Sequence, residues 1–477
     1  MSIASEISRL QTAKADIKAA IEAKGVTVPS SAKLDDYDTY VGQISGGGPT
    51  PTPTSDADDV IFIDYDGTIL HRYTFAEFLE LTAMPSNPSH EGLVAQGWNW
   101  SLADAKAEAT LGVPCVIGQL YTTSDGATRI YFTDDGSTDH VFTLYWSQTE
   151  ANGVTIDWGD GSATETVSGT NNKSLSHTYV ASGSYVISMK VTSGIMMLGR
   201  NGVFGGANVY TVPSNLVTKV ELGSSVIIPS YIFYDYINLA SISFASDTTF
   251  ANNATQIFIG TRLKGIVIPS GITTFPSDAI KNQYYLKCVS IPKSVTSLGN
   301  TCFQNDYALE YVNIPSGVTT IGNYCFNYTA VRRMKGNALT SIGNQAFTRC
   351  GLLKSAILPS TLTTFGGAAF DNCKALESFV IPGGLTAVPN GMFGYDISLK
   401  ELDLPSTVST INTNAFMYCS AMTTLIVRAT TPPTLASTNA FTRVPLKHIY
   451  VPAAAVETYK AASNWSSYSS IIEAIPA

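Results

Sequence analysis

The sequence is short of charge: Asp, Glu, Lys and Arg make up only 14% of its 477 residues. Its 28 basic residues form no cluster, and the net charge is −9. Phosphate binding needs concentrated positive charge, so no nucleic-acid partner is expected. No run of about 18 apolar residues occurs, so no membrane insertion is expected. The first 25 residues, MSIASEISRLQTAKADIKAAIEAKG, carry charges every few positions and lack the apolar stretch of a signal peptide. Cysteine is scarce and odd in number, seven in all. Five of the seven recur at matching places in a repeat, which reads as buried thiols in a reducing cytoplasm rather than a disulfide framework. Five histidines, at 71, 90, 140, 177 and 448, show no ligand spacing. With no Walker loop, Cys-x-x-Cys pair or nucleophile–base arrangement, no catalytic residue, metal or cofactor is expected.

What is abundant favours strands and turns. Hydrophobic residues reach 44%, with 38 Gly and 24 Tyr, which implies a folded, mainly β chain of about three domains. Ile3, Ile7, Leu10, Ile17 and Ile21 make one helical stripe, and Leu34, Tyr37, Val41 and Ile44 a second. Residues 1–44 therefore read as a helical hairpin that buries its own seam or serves docking and self-association. Isoleucine at both seam positions favours a trimer. Residues 45–59, SGGGPTPTPTSDADD, are an extended spacer. Residues 60–111 read as a small α+β module: a strand, DVIFIDYDGTIL, a helix, TFAEFLELTA, and QGWNW, whose Trp98 and Trp100 suit a core better than a sugar platform. Residues 112–195 are short strands divided by the turns SDG, TDDG, GDGS and ASGS.

From about residue 210 the chain repeats. Prolines follow an aliphatic residue at Pro269, Pro292, Pro315, Pro359, Pro382 and Pro405, at intervals of 23, 23, 44, 23 and 23. Three positions later stand Ile272, Val295, Val318, Leu362, Leu385 and Val408; eleven positions later stand Ile280, Phe303, Phe326, Phe370, Phe393 and Phe416. Phe347 marks the unit that lost its proline. A fixed period in the twenties predicts a solenoid over 210–452, each unit burying its strand and Phe against the next, with 453–477 as the terminal cap. The units IPSGVTTIGNYCF and LPSTLTTFGGAAFDNCKAL resemble BspA-type leucine-rich repeats, a family of bacterial and phage surface proteins. That resemblance implies binding of a protein or glycan and no catalytic centre.

Two further likenesses concern the middle. VTIDWGDGSATETV with SHTYVASGSYVISMKV (Asp157, Trp158, Gly159, Asp160, Gly161, Ser162, His177, Thr178, Tyr179, Gly183 and Tyr185) resembles a polycystic-kidney-disease (PKD) domain, which implies an immunoglobulin-like sandwich. IFIDYDGTIL matches the first motif of haloacid-dehalogenase-type phosphatases, in which Asp64 would be the nucleophile, Asp66 the acid–base, and both would hold magnesium. That fold needs a longer α/β domain. The fifty residues that follow read as lacking a further strand–helix unit, so a hairpin is expected instead.

Residues 6–44 and the DYDGT…PSNPSHEGL.AQGWNW block resemble segments of phage tail proteins. The expectation is a non-enzymatic phage tail adhesin (fibre, tip or baseplate), assembled in the bacterial cytoplasm into the virion. Its N-terminus would hold other tail proteins, and its solenoid would bind a host cell-surface protein or glycan. The alternative is a bacterial cell-surface leucine-rich-repeat adhesin; the remote one is the phosphatase. The repeats differ most between the Phe column and the next strand, where Tyr307, Tyr311, Tyr328, Arg332, Arg333, Arg349 and Tyr395 form the candidate contact surface.

Overall fold

The computed structural model describes residues 18, 58–136, 140–199 and 214–476. The hairpin, the spacer and the trimer expectation fall almost wholly outside these residues. The chain divides after Asp59, and the second unit, Val60–Ala477, is described here.

The unit begins with a four-stranded sheet: β1 (Val60–Ile63), β2 (Ile69–Tyr73), β3 (Leu93–Trp98) and β4 (Cys115–Thr123), in the order β2-β1-β4-β3. β1 and β2 form an antiparallel hairpin across the DYDGT turn, and β1 pairs with β4 in parallel. Every residue of β1 is buried, because both faces of the sheet are covered. Val60, Phe62, Cys115 and Ile117 face the helices Phe75–Glu80 and Leu102–Thr110, while Ile61, Ile63, Val116 and Leu120 join the solenoid core. The first helix opens on a capping box between Thr74 and Glu77, and Ser101 caps the second. Two sequence expectations are corrected here. QGWNW does lie in a further strand–helix unit, β3 and the second helix. And β4 belongs to this first sheet, so the edge drawn between residues 111 and 112 separates a helix from its own strand.

A two-sheet sandwich follows: β5 (Thr128–Asp134), β6 (His140–Gln148), β7 (Val154–Asp157), β8 (Glu165–Val167), β9 (Lys173–Tyr179), β10 (Gly183–Val191) and β11 (Met196–Leu198). The residues of the PKD likeness act locally. Asp157 and Asp160 accept the amides of Gly159 and Ser162, and the buried Tyr179 hydroxyl donates to Trp158 O at 2.6 Å. The sandwich does not end where the repeats begin. β12 (Val217–Glu221) and β14 (Ser241–Ser243) extend its first sheet beside β5, while β13 (Val226–Ile228) and β15 (Thr249–Phe250) extend its second beside β11. The opening coils thus pair with strands that would otherwise be open edges.

About 11 turns of roughly 23 residues make the solenoid. One wall is the parallel strands before each proline, such as Gly265–Val267, Cys288–Ser290 and Tyr311–Val312. The other is two-residue strands, Thr274–Phe275, Ser297–Leu298, Thr320–Ile321, Ser341–Ile342 and Thr364–Phe365. Between the walls the phenylalanines stack from Phe275 through Phe303, Phe326, Phe347, Phe370, Phe393 and Phe416 to Phe441, with ring centres 5.0–6.3 Å apart. Coil-to-coil contact is close enough to demand glycine: a Cβ on Gly322 or Gly343 would sit 2.6 or 2.5 Å from a backbone nitrogen of the coil before. Beside them Asn300 accepts the amide of Asn323, Asn323 that of Asn344, and Asn344 that of Gly367. At the far end, Trp465 meets Phe441 and the helix Val456–Ala461 anchors through Tyr459 to Ala429 O. All seven cysteines are free and buried.

Candidate binding surfaces

The phosphatase-like residues are engaged elsewhere. Asp64 is buried, its Oδ2 is 2.7 Å from His90 Nε2, and Tyr65 and Tyr121 enclose the pair. Asp66 accepts the amide of Thr68, closing the hairpin turn. Among the described residues no group of three or more His, Cys, Asp or Glu side chains is placed to hold a metal. Histidines that looked scattered in sequence pair with acids: His90 with Asp64, His140 with Asp134, His177 with Asp160. Spacings of 26, 6 and 17 residues hide these pairs until the hairpins close. Trp98 packs edge-on to Phe62, and Trp100 donates to Ile291 O, so both serve the interior.

The structure splits the seven predicted contact residues between two surfaces. Tyr307, Tyr328, Arg349 and Tyr395 lie along one edge of the solenoid. Tyr307 stacks on Tyr284 at 5.7 Å and meets Tyr328 edge-on at 5.9 Å, and Arg349 lies over the Tyr328 ring at 4.8 Å. Two coils on, Tyr395 stacks on Tyr418 at 4.7 Å. Tyr284 and Tyr307 are 64% and 49% exposed, which makes this an outward ridge. Its backbone is unusual: Asn282, two residues beyond Ile280, and Asn305, Tyr328, Arg349, Asn372, Tyr395 and Tyr418, each two residues beyond a stacked phenylalanine, all have positive φ. Asn adopts that conformation readily, but a bulky side chain there costs about 1–2 kcal/mol. Four of these seven coils carry Tyr or Arg regardless.

Tyr311, Arg332 and Arg333 lie instead on the strand-wall side. Tyr311 accepts a hydrogen bond from Arg72 at 3.3 Å and lies beneath its guanidinium, which contact with a ligand would disturb. Arg332 bonds Glu310 at 2.5 Å, and Arg333 starts the strand Arg333–Lys335 half-buried. The first half of this wall is occupied by the N-terminal sheet. Ser290 donates to Val116 O at 2.6 Å, and Asn99 donates to Ile268 O and accepts from Gly118 N and Ser290 Oγ. Glu108 takes both the amide and the hydroxyl of Ser316. Past that cover Ile357 and Val380, 54% and 78% exposed, stand where Val267 is buried upstream.

With the coils in view, the family is decided by sequence as well. The profile of the BspA type leucine-rich repeat region matches six copies over residues 210–332 and 336–468, more than half of the chain. The chain belongs to the BspA-type leucine-rich-repeat family. Solved structures it resembles include a leucine-rich repeat protein of Bacteroides ovatus, 20% identical, covering 55% of this chain and 85% of that one with a TM-score of 0.37. A leucine-rich cell surface protein of Faecalibacterium prausnitzii is 20% identical over 59% of this chain and 94% of that one, with a TM-score of 0.32. The leucine-rich repeat protein of T. pallidum is 26% identical over 33% and 78%, with a TM-score of 0.31. No curated protein matches.

Proposed function

We propose that this BspA-type protein is a non-enzymatic bacterial surface adhesin that grips a protein ligand with the tyrosine–arginine ridge. The carrying observation is that Tyr328, Arg349, Tyr395 and Tyr418 hold positive φ at places where Asn serves neighbouring coils at lower cost. Tyr and Arg supply rigid contact area at low entropic cost. The rings of Tyr284 and Tyr307, and of Tyr395 and Tyr418, cover one another's faces. A sugar needs an open face to stack on, so the ridge suits a protein better than a glycan.

The test is binding of the labelled full chain to target bacteria or host cells. Replacing Tyr284, Tyr307 and Tyr328 by Ala should lower binding at least about tenfold, the loss of one good contact. Protease treatment of the target should abolish binding, and periodate should spare it. Undiminished binding by the triple variant would sink the proposal, and periodate sensitivity would replace the protein ligand by a glycan.

A phage tail adhesin is the second reading, supported by the tail-protein likeness of residues 6–44 and of the DYDGT block. Co-sedimentation of the chain with virions, rather than with the cell envelope, would favour it.

A further inference from the structure

Inside the solenoid one pair of side chains exceeds what packing asks. Cys302 and Cys325 hold the same place in adjacent coils, one residue before the stacked phenylalanine, and their sulfurs lie 3.1 Å apart. Most other coils fill that place with alanine, Ala279, Ala346, Ala369, Ala415 and Ala440, and one with Met392, all buried. A methyl group therefore satisfies the core, and two thiols in neighbouring coils are an addition. A second column serves as a control. Cys350 and Cys373 also sit in adjacent coils, three residues after the phenylalanine. Their thiols donate instead to Phe326 O at 3.1 Å and to Phe347 O at 3.2 Å. Same spacing, different direction: only the first pair brings sulfur to sulfur.

We propose that Cys302 and Cys325 are a cross-linking site, oxidised to a disulfide that staples two coils when the chain folds outside the reducing cytoplasm. Both cysteines lie in turns whose backbones are hydrogen-bonded coil to coil, with Phe303 N–H donating to Cys325 O at 2.9 Å. This holds neighbouring coils near the strand spacing of about 4.8 Å, within the usual Cα separation of about 4.4–6.8 Å for a disulfide. The oxidant is itself a disulfide, such as glutathione disulfide or a disulfide oxidoreductase. The Cys302 thiolate attacks one of its sulfurs and expels the first oxidant thiolate. The Cys325 thiolate then attacks Cys302 Sγ in the mixed disulfide and expels the second. Two protons leave the two thiols, two electrons pass to the oxidant, and the oxidant ends as two thiols. In the folded chain both cysteines are buried and burial pushes the Cys302 thiol far up, so exchange belongs to the moment of coil stacking. Once closed, the bond is shielded from reductant. The inference takes only the compartment from the surface reading; the cross-link itself does not depend on what the ridge binds.

The experiment refolds the full chain from guanidinium with or without a glutathione/glutathione disulfide couple, then alkylates it under denaturing conditions and weighs it. Oxidative refolding should leave five of the seven cysteines alkylated, with one cross-linked peptide pair holding Cys302 and Cys325. The melting temperature should rise by several degrees over the reduced chain. A Cys302→Ala, Cys325→Ala variant uses the residue other coils already carry, and should fold, take five alkyl groups under both conditions and lose the oxidant-dependent shift. Seven alkyl groups after oxidative refolding would overturn the proposal, as would a cross-link between Cys350 and Cys373. Neither result would touch cell binding by the ridge, so the two readings fail separately.

Discussion

Asp306 accepts the backbone N–H of Gln283, one coil earlier, at 2.8 Å, and its other carboxylate oxygen meets no partner among the described residues. Asp396 repeats the arrangement on Cys373 at 2.7 Å. Both stand in the column where Cys350, Cys373 and Cys419 donate to the phenylalanine carbonyl of the coil before.

Burial drives both carboxyls well above the ordinary carboxylate range. Asp371, half-buried, is pushed up to about 6 by desolvation despite Arg349 nearby. A raised folded pKa contributes stability that is complete below the unfolded value near 4 and is lost as pH rises through the folded value. The protein should therefore melt at a lower temperature at pH 8 than at pH 5. Asp306→Asn and Asp396→Asn keep the accepting oxygen and remove the charge that burial disfavours, and should each add about 1–3 kcal/mol at pH 8 and little at pH 4. A variant melting below wild type at pH 8 would refute this.

Gly343 and Gly351 separate close approach from mere turn formation. A Cβ on Gly343 would lie 2.5 Å from Asn323 N, whereas one on Gly351 meets nothing within 4 Å. Gly343→Ala should destabilise by about 1–3 kcal/mol and Gly351→Ala by less than about 0.5 kcal/mol. Equal thermal melts for the two variants would contradict the argument.

Asn99 ties the N-terminal sheet to the solenoid wall through hydrogen bonds to Ile268 O, Gly118 N and Ser290 Oγ. Asn99→Ala leaves the buried Ile268 O and Gly118 N without this partner, while Ser290 Oγ keeps Val116 O, and should cost about 2–4 kcal/mol. Hydrogen exchange should speed up in β4 first, with the stacked coils beyond Phe347 unchanged. Uniform acceleration across the chain would mean that the sheet and the solenoid open as one.

Tyr179→Phe removes a single hydroxyl that donates to Trp158 O at 2.6 Å in the sandwich core. The loss should be about 1–2 kcal/mol, and urea melts followed by tryptophan fluorescence would register it. A melt identical to wild type would show that Trp158 O finds another donor.

Much of the solenoid could be read in advance because its instructions are local. Phe303, Phe326 and Phe347 recur at the coil period, and stacking neighbours at strand spacing leaves such a pattern one way to bury itself. The ridge was legible only in part. Tyr307 and Tyr328 follow a phenylalanine that marks their coil, but Tyr284 follows Ile280, so no aromatic marks its segment in the repeat. Tyr311 looked like its neighbours in sequence, yet Arg72 reaches it from 239 residues away.

By itself the sequence determined the coil, its period and its column of phenylalanines, since each depends on residues within one repeat and its neighbour. Only the tertiary structure decided that β4 leaves the sandwich for the first sheet and lies across the solenoid wall. It alone decided that the sandwich sheets run on into the opening coils. Those choices depend on surfaces far apart in the chain fitting at close range, as Gly118 does over Val267 and Gly67 over Gly265. No periodic pattern encodes such a fit, because it is a property of two shapes and not of either segment.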